Sequence, residues 1–185
     1  PCPGREETLA DAGRIIELAR QCGVTPIQTM PWAEKRDPGH QKEMYDIFET
    51  LGRQYGVTLT VAGNVFEDVF YHHPEIDLYW VDGEHASPYG SYTIAMAAYA
   101  AIFQERVEGL APNSYSTYPV AAGHEAEVAA AMAAFQRDNS STKSLQEAWQ
   151  YVLGPVTNKE QAFFPLEPQK ALILQRLVDQ YTFGE

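Results

Sequence analysis

The chain has 185 residues, 45% hydrophobic and 12% aromatic, which predicts a folded domain with a sizeable core rather than a disordered segment. Its 13 basic and 25 acidic residues give a formal net charge of −12, which argues against nucleic acid or an anionic membrane surface as a partner, because phosphate binding needs clustered Lys and Arg. No apolar run approaches the roughly 18 residues of a transmembrane helix, so the sequence predicts no membrane span.

The first part of the chain alternates between predicted helices and strands. Apolar residues at helical spacing predict the helices, and Gly23 and Gly56 end two of them. β-Branched residues and flanking prolines predict the strands. In chain order we expect a helix over 8–22, a strand over 24–32, a helix over 43–55, a strand over 57–61 and one or two helical turns over 64–71.

The second part begins with an apolar run at 78–81, a short strand or a buried approach, which leads into a polar loop and a long apolar helix ending at Phe103. The character of the chain changes after residue 104. We expect a loop over 109–123, rich in Pro, Ser and Tyr, followed by helices over 125–135, 144–153 and 168–181. The division predicts an α/β part at 1–105 and a helical C-terminal extension at 106–185, packed on the same domain.

Helix–strand alternation of this kind is typical of an α/β fold with a parallel sheet. Ligand sites of such folds lie past the carboxyl ends of the strands, where the loop after residue 81 would lie. Two or three strands are visible in the sequence, whereas a parallel sheet usually has about five. The pattern therefore predicts an incomplete core.

That loop carries the most informative motif, Asp82-Gly83-Glu84-His85, followed by a Ser-Pro-x-Gly helix start. A carboxylate three residues before an imidazole can hold one ring nitrogen and fix the tautomer, which leaves the other nitrogen free as a base. Asp82 and His85 are therefore our candidate catalytic residues. They would form the acid–base half of a serine hydrolase.

The loop and its surroundings resemble the last motif of the SGNH, or GDSL-like, serine hydrolase family. The similarity includes Asp-Leu-Tyr before the loop, Ser-Pro-x-Gly-Ser-Tyr after it, the small-residue helix 95–101, the Met-Pro-Trp-Ala turn at 30–33 and the helix–strand unit 41–61. It covers residues 8–105, with a weaker resemblance through Trp149, and Ala86 stands where the family usually has Pro. The resemblance implies a three-layer, flavodoxin-like parallel sheet with helices on both faces and hydrolysis of a small-molecule ester, an acetylated carbohydrate among the candidates, without any cofactor.

The nucleophile motif of that family does not occur in this chain. The sequence contains no Gly-Asp dipeptide and no Gly-x-Ser-x-Gly, and Gly63-Asn64 matches the family's Asn motif only superficially. Ser87, Ser91 and Cys22 are poor substitutes, because the serines adjoin the histidine loop or helix start and the thiol follows a helix C-terminus. We expect this chain to be the C-terminal portion of a hydrolase whose first strands and serine lie in a preceding segment, or a non-catalytic binding or structural descendant of the family. Its incomplete sheet predicts pairing with that segment or self-association.

Other polar residues suggest weaker alternatives. A metal-dependent hydrolase could use histidines and acids in this region, but their spacing matches no zinc motif, so we interpret them as polar loop residues: His40, His72, His73, Glu84 and His85. Trp32 could line a cleft or pack in the core, and the tyrosines at 71, 115 and 118 could contact a sugar. Cys2 and Cys22 flank the first predicted helix, so we expect them to be unpaired.

Overall fold

The computed structural model describes residues 4–115, 123–124, 126–128, 130–131 and 163–184. The α/β class is confirmed, with helix predominating. The elements are α1 (Arg5–Gln21), β1 (Ile27–Thr29), a 3-10 turn (Pro38–His40), α2 (Gln41–Tyr55), β2 (Thr58–Thr60), α3 (Ala62–His72), α4 (Pro88–Phe103), β3 (Asn113–Tyr115), β4 (Phe163–Pro165) and α5 (Pro168–Phe183).

The parallel sheet of the described residues consists of β1 and β2, with Ile27 opposite Thr58 and Thr29 opposite Thr60. β1 is shorter than the strand predicted over 24–32. The apolar run at 78–81 does not join this sheet, because Tyr79 instead forms an isolated antiparallel bridge with Ala86. The described residues thus show a small parallel sheet among helices. They do not show the three-layer architecture expected from the resemblance.

Two local predictions needed correction. Residues 113–115, expected in a loop, form β3, which pairs antiparallel with β4 at 163–165. The one or two turns expected over 64–71 are a helix of 11 residues, α3, which extends at both ends of that range. Within the helix predicted over 125–135, residues 126–128 and 130–131 are helical, while the helix predicted over 144–153, Cys2 and Tyr118 lie outside the described residues.

The larger hydrophobic core lies between α3, α4 and α5. These helices pack through small and branched side chains, and each fully buried Val or Leu contributes about 1.5–3 kcal/mol relative to exposure. The most completely buried members of this core are Ala62, Val65, Phe66, Leu78, Ala97, Ala100, Val107, Ala171, Leu174 and Val178. Because α5 contacts both α3 and α4, the C-terminal helix belongs to this larger core.

A smaller core lies between α1, α2 and β2. Leu9 and Ile16 of α1 pack against Leu51 of α2 and Val57 just before β2. The two helices approach closely at Gly13, which has no side chain. A Cβ added there would lie 2.1 Å from the Tyr55 hydroxyl. This core holds α2 in place, and Gln41 at the N-terminus of α2 in turn bonds with the backbone of Pro31 and Ala33.

Candidate active site

The loop with Asp82 and His85 is closed by backbone hydrogen bonds at its base. Trp80 N donates to His85 O at 2.7 Å and Ser87 N donates to Leu78 O at 2.9 Å. At the tip, Gly83 N donates to Trp80 O at 2.9 Å, and Gly83 adopts a φ of +73°, a conformation that glycine accepts without steric cost. The chain therefore reverses direction between Trp80 and His85 and keeps the two candidate residues on one compact turn.

Asp82 holds this turn with both of its carboxylate oxygens. Oδ1 accepts hydrogen bonds from Glu84 N and His85 N, each at 2.9 Å. Oδ2 lies 2.6 Å from His85 Nδ1. The side chain of Asp82 is 2% exposed, so its charge is stabilised by these donors rather than by bulk water.

His85 combines a held ring nitrogen with a ring that is 76% exposed. An ionised carboxylate can only accept a hydrogen bond, so Nδ1 carries the proton that it shares with Asp82. The hydrogen bond to Asp82 raises the pKa of His85, with further help from the negative charges of Asp82 and Glu84, while desolvation opposes the rise. The geometry leaves Nε2 as the nitrogen that can accept a proton from a reactant.

Ser87 caps the N-terminus of α4, and its hydroxyl group makes two hydrogen bonds. Its Oγ accepts from Gly90 N at 3.1 Å and donates to Asp77 O at 2.7 Å. Pro88 follows at the first helical position, the arrangement expected of a helix N-terminus. These contacts explain the Ser-Pro-x-Gly sequence by helix capping, and Ser91 lies in the first turn of the same helix.

The structure places further residues against this loop that the sequence motif does not include. Trp32 Nε1 donates to Glu84 O at 2.8 Å, and Lys35 N donates to Gly83 O at 2.8 Å. Gln41, 2% exposed, binds the backbone on both sides of Trp32. The sequence predicts for Trp32 only a place in a cleft or in the core, and a glutamine near the start of a predicted helix carries no sequence signal of burial.

No serine, threonine or cysteine of the described residues hydrogen bonds with His85, whose side chain bonds with Asp82. Cys22 is an exposed thiol beyond the end of α1. Asn64 lies on α3 and lines a cavity of about 590 Å³ together with β1, β2 and the end of α5. The described part of the chain thus holds an acid–base pair without a nucleophile beside it.

The other histidines have separate local partners. His72 lies 3.2 Å from Asp68, His73 lies 3.5 Å from Glu75, and His40 lies 3.2 Å from Glu43. Within the residues that the structure describes, no group of three or more His, Cys, Asp or Glu side chains is arranged to hold a metal ion.

Comparison of the chain with protein-family models, with curated proteins and with solved structures finds no match. Among the described helices, none combines the length and hydropathy that a bilayer span requires. The class that the structure itself defines is an α/β protein with a carboxylate–imidazole pair on an exposed loop. Any functional assignment therefore depends on the chemistry of Asp82, His85 and their surroundings.

Proposed function

We propose that this chain supplies the acid–base half of a serine ester hydrolase of the SGNH type. The observation that carries the proposal is the difference in exposure between Asp82 and His85, which we call the dyad. The buried Asp82 carboxylate holds Nδ1 of the His85 imidazole, whose ring is 76% exposed. A surface ion pair needs no such burial of one partner. An orienting carboxylate of a hydrolytic triad is buried and holds the base in one tautomer.

In this mechanism Nε2 of His85 removes the proton of a serine hydroxyl as the serine oxygen attacks the ester carbonyl carbon. The imidazolium then returns that proton to the leaving alcohol as the ester C–O bond breaks. A water molecule, deprotonated by the same nitrogen, then attacks the acyl carbon of the acyl-enzyme. The imidazolium returns that proton to the serine oxygen as its bond to the acyl carbon breaks, which releases the acid and restores the serine. Asp82 stabilises the imidazolium in both halves of the reaction, and no cofactor is required.

The serine and the donors that stabilise the oxyanion would come from a segment outside these 185 residues. The proposed full protein has a three-layer, flavodoxin-like fold, in which β1 and β2 belong to a parallel sheet with helices on both faces. Residues 1–105 form part of this hydrolase fold, and residues 106–185 form an extension. Support comes from the segment that leaves the carboxyl end of β1, since its residues Trp32 and Lys35 bond with the dyad loop. The substrate would be a small-molecule ester, acetylated carbohydrates included.

The decisive experiment compares His85→Ala with His72→Ala in the full protein that contains this chain. His72 is a matched control, because it is 70% exposed and lies 3.2 Å from Asp68, yet it lies on the helix α3. Removing a general base lowers kcat by about 10²–10⁴-fold. We expect that loss for His85→Ala, measured with a chromogenic acetate ester, and unchanged kcat for His72→Ala. Unchanged esterase activity in a folded His85→Ala variant would show that the proposal is wrong.

A second candidate function is a binding or structural domain that kept the loop without the reaction. The observation in its favour is that the Ser87 hydroxyl is committed to the α4 cap and that no nucleophile of the described residues bonds with His85. It predicts carbohydrate binding without turnover, measured by thermal shift against a sugar panel. Labelling of a serine in the purified protein by a fluorophosphonate probe would eliminate it.

The masses of all polypeptides in the purified protein, measured under denaturing conditions, separate the two candidates at the outset. A species heavier than 20.7 kDa, or a second smaller polypeptide, supports a serine-bearing segment and the hydrolase proposal. A single species of 20.7 kDa favours the binding domain.

A further inference from the structure

The segment 30–35, which follows β1, lies against the Asp82–His85 loop and bonds with it at several points. Trp32 Nε1 donates to Glu84 O at 2.8 Å, and Lys35 N donates to Gly83 O at 2.8 Å. From the apolar run that precedes the loop, Tyr79 Oη donates to Ala33 O at 2.9 Å. We refer to residues 30–35 as the supporting segment.

The peptide group between Glu84 and His85 is held at both ends. Its carbonyl oxygen accepts the indole N–H of Trp32, and its N–H donates to Oδ1 of Asp82 at 2.9 Å. A peptide group is planar, so two bonds on opposite sides limit its rotation. The orientation of this group sets the direction in which the Cα–Cβ bond of His85 leaves the backbone.

The indole of Trp32 is itself fixed by aromatic packing. It stacks on Phe66 with ring centroids 4.4 Å apart and an angle of 18° between the planes. Phe66 is 1% exposed and meets Tyr79 edge to face at 5.3 Å. Because Phe66 belongs to the larger core, the direction of the indole N–H is determined by the core rather than by the loop.

The backbone of the supporting segment is anchored in turn by Gln41 at the start of α2. Gln41 is 2% exposed, its Oε1 accepts from Ala33 N at 2.8 Å, and its Nε2 donates to Pro31 O at 3.2 Å. The residues on both sides of Trp32 are therefore fixed by one buried amide. A buried amide with both ends satisfied favours a single local conformation.

We propose that Trp32 is a positioning residue for His85: its indole N–H holds the Glu84–His85 peptide group so that the imidazole stays in register with Asp82. The catalytic meaning of this role rests on the function proposed above, whereas the structural role does not. Trp32 acts through the Glu84 carbonyl, to which its indole N–H donates, rather than through the imidazole itself. Its loss should therefore change the Asp82–His85 hydrogen bond without removing either partner.

The test is Trp32→Phe in the full protein that contains this chain, read by NMR of the His85 ring. Phenylalanine keeps a ring to stack on Phe66 and removes the N–H donor. We expect the low-field Nδ1 proton signal of His85 to weaken and the pKa of His85 to fall toward its ordinary value, because the bond to Asp82 is formed less of the time. An unchanged His85 titration and Nδ1 signal in the folded variant would overturn the proposal.

Trp80→Phe is the matched control, since Trp80 belongs to the same loop and its indole has no hydrogen bond to any described residue. It should leave the His85 signals unchanged. Tyr79→Phe provides a second variant in case Trp32→Phe fails to fold, as it removes the Tyr79–Ala33 bond that holds the supporting segment to the loop. We expect a smaller change of the same sign, and its absence would count against the proposal.

Activity of the full protein separates this proposal from the proposed function. If Trp32→Phe shifts the His85 titration while His85→Ala keeps its esterase activity, positioning is supported and the hydrolase assignment fails. If His85→Ala is inactive and Trp32→Phe leaves both the titration and kcat unchanged, the assignment stands and positioning is wrong.

Discussion

The imidazole of His85 is 76% exposed, and the carboxylate side chain to which it bonds, that of Asp82, is 2% exposed. Their atoms Nδ1 and Oδ2 lie 2.6 Å apart. Another Asp–His pair, Asp68 and His72, serves for comparison. Its atoms Oδ1 and Nδ1 lie 3.2 Å apart, and the Asp68 side chain is 14% exposed. The first pair thus has the closer contact and the more shielded charge, which is the arrangement that holds an imidazole in one tautomer.

Asp82→Asn should lower the pKa of His85. The hydrogen bond to Asp82 is the main cause of the raised pKa, and the carboxylate charge adds to it, so a neutral amide removes both contributions. The measurement is an NMR titration of the His85 ring protons. Asp77→Asn is the control, because Asp77 pairs with Lys35 at 2.7 Å near the same loop. Equal His85 titrations in wild type and Asp82→Asn would contradict this cause.

Replacing His85 should change the pH dependence of stability. The pKa of His85 in the folded chain is raised above its ordinary value of 6.5, so protonation favours the folded state. That stabilisation is fully present below pH 6.5 and is lost as the pH rises through the folded pKa. The free energy of unfolding of wild type, relative to His85→Gln, should therefore decline as the pH rises across that window. We expect a small effect, because the ring is largely exposed, and parallel urea-unfolding profiles would exclude it.

Ser87→Ala should destabilise the chain without acting on any nucleophile. The substitution removes the cap of α4 and the bond to Asp77 O, and loss of such a cap costs about 0.5–2 kcal/mol. Ser91→Ala is the control, since the Ser91 hydroxyl has no hydrogen bond to a described residue. Urea unfolding measures both variants. Fluorophosphonate labelling of the full protein should be unchanged in Ser87→Ala, and loss of labelling would identify Ser87 as the nucleophile after all.

Gly90→Ala should destabilise the chain although alanine favours helix. A Cβ at Gly90 would lie 2.2 Å from Leu78 O, a backbone atom that cannot rotate away. Overpacking costs about 1–3 kcal/mol, against a helix-propensity gain of up to about 1 kcal/mol. Gly52→Ala in α2 is the matched control, because its Cβ would first meet the end of the Leu59 side chain at 3.3 Å. We expect Gly52→Ala to be neutral or stabilising, and equal unfolding midpoints for the two variants would contradict the predicted clash.

Tyr79→Phe should reduce the loss of stability at alkaline pH. Burial raises the pKa of Tyr79 from 10.0 to about 12, with a further contribution from Asp77. The phenol ionises more readily in the unfolded chain, so its contribution to stability is present below pH 10.0 and is lost as the pH rises to about 12. The variant lacks this contribution, and its free energy of unfolding should fall less steeply across that interval. Identical slopes for wild type and variant would show that Tyr79 does not titrate in this way.

Features governed by neighbours in sequence could be predicted well. The helices α1, α2 and α5 follow apolar periodicity, and α4 begins at the Ser-Pro start because Ser87 caps it three residues before Gly90. The contact of Asp82 with His85 also belongs to this class, since three residues of a tight turn suffice to bring the two side chains together. Such contacts depend on local backbone geometry, which short sequence patterns specify.

Features governed by distant pairing could not be predicted. β3 and β4 are three residues each, lie about fifty residues apart and stabilise one another only when the chain between them brings them together. The 78–81 run is as apolar as a strand, yet it bridges with Ala86 rather than joining β2. Short strands carry little intrinsic preference, so their partners decide whether they form.

The sequence by itself predicted the α/β class, most helices and the pair Asp82–His85. Each of these depends on composition or on residues within a few positions of one another. Only the tertiary structure determined that the Asp82 carboxylate is buried while the His85 ring is exposed, and that Trp32 bonds with Glu84 across 52 positions of sequence. Burial and long-range hydrogen bonds depend on how the helices pack. No local pattern encodes that packing, which is why the support of the dyad became visible only in the folded chain.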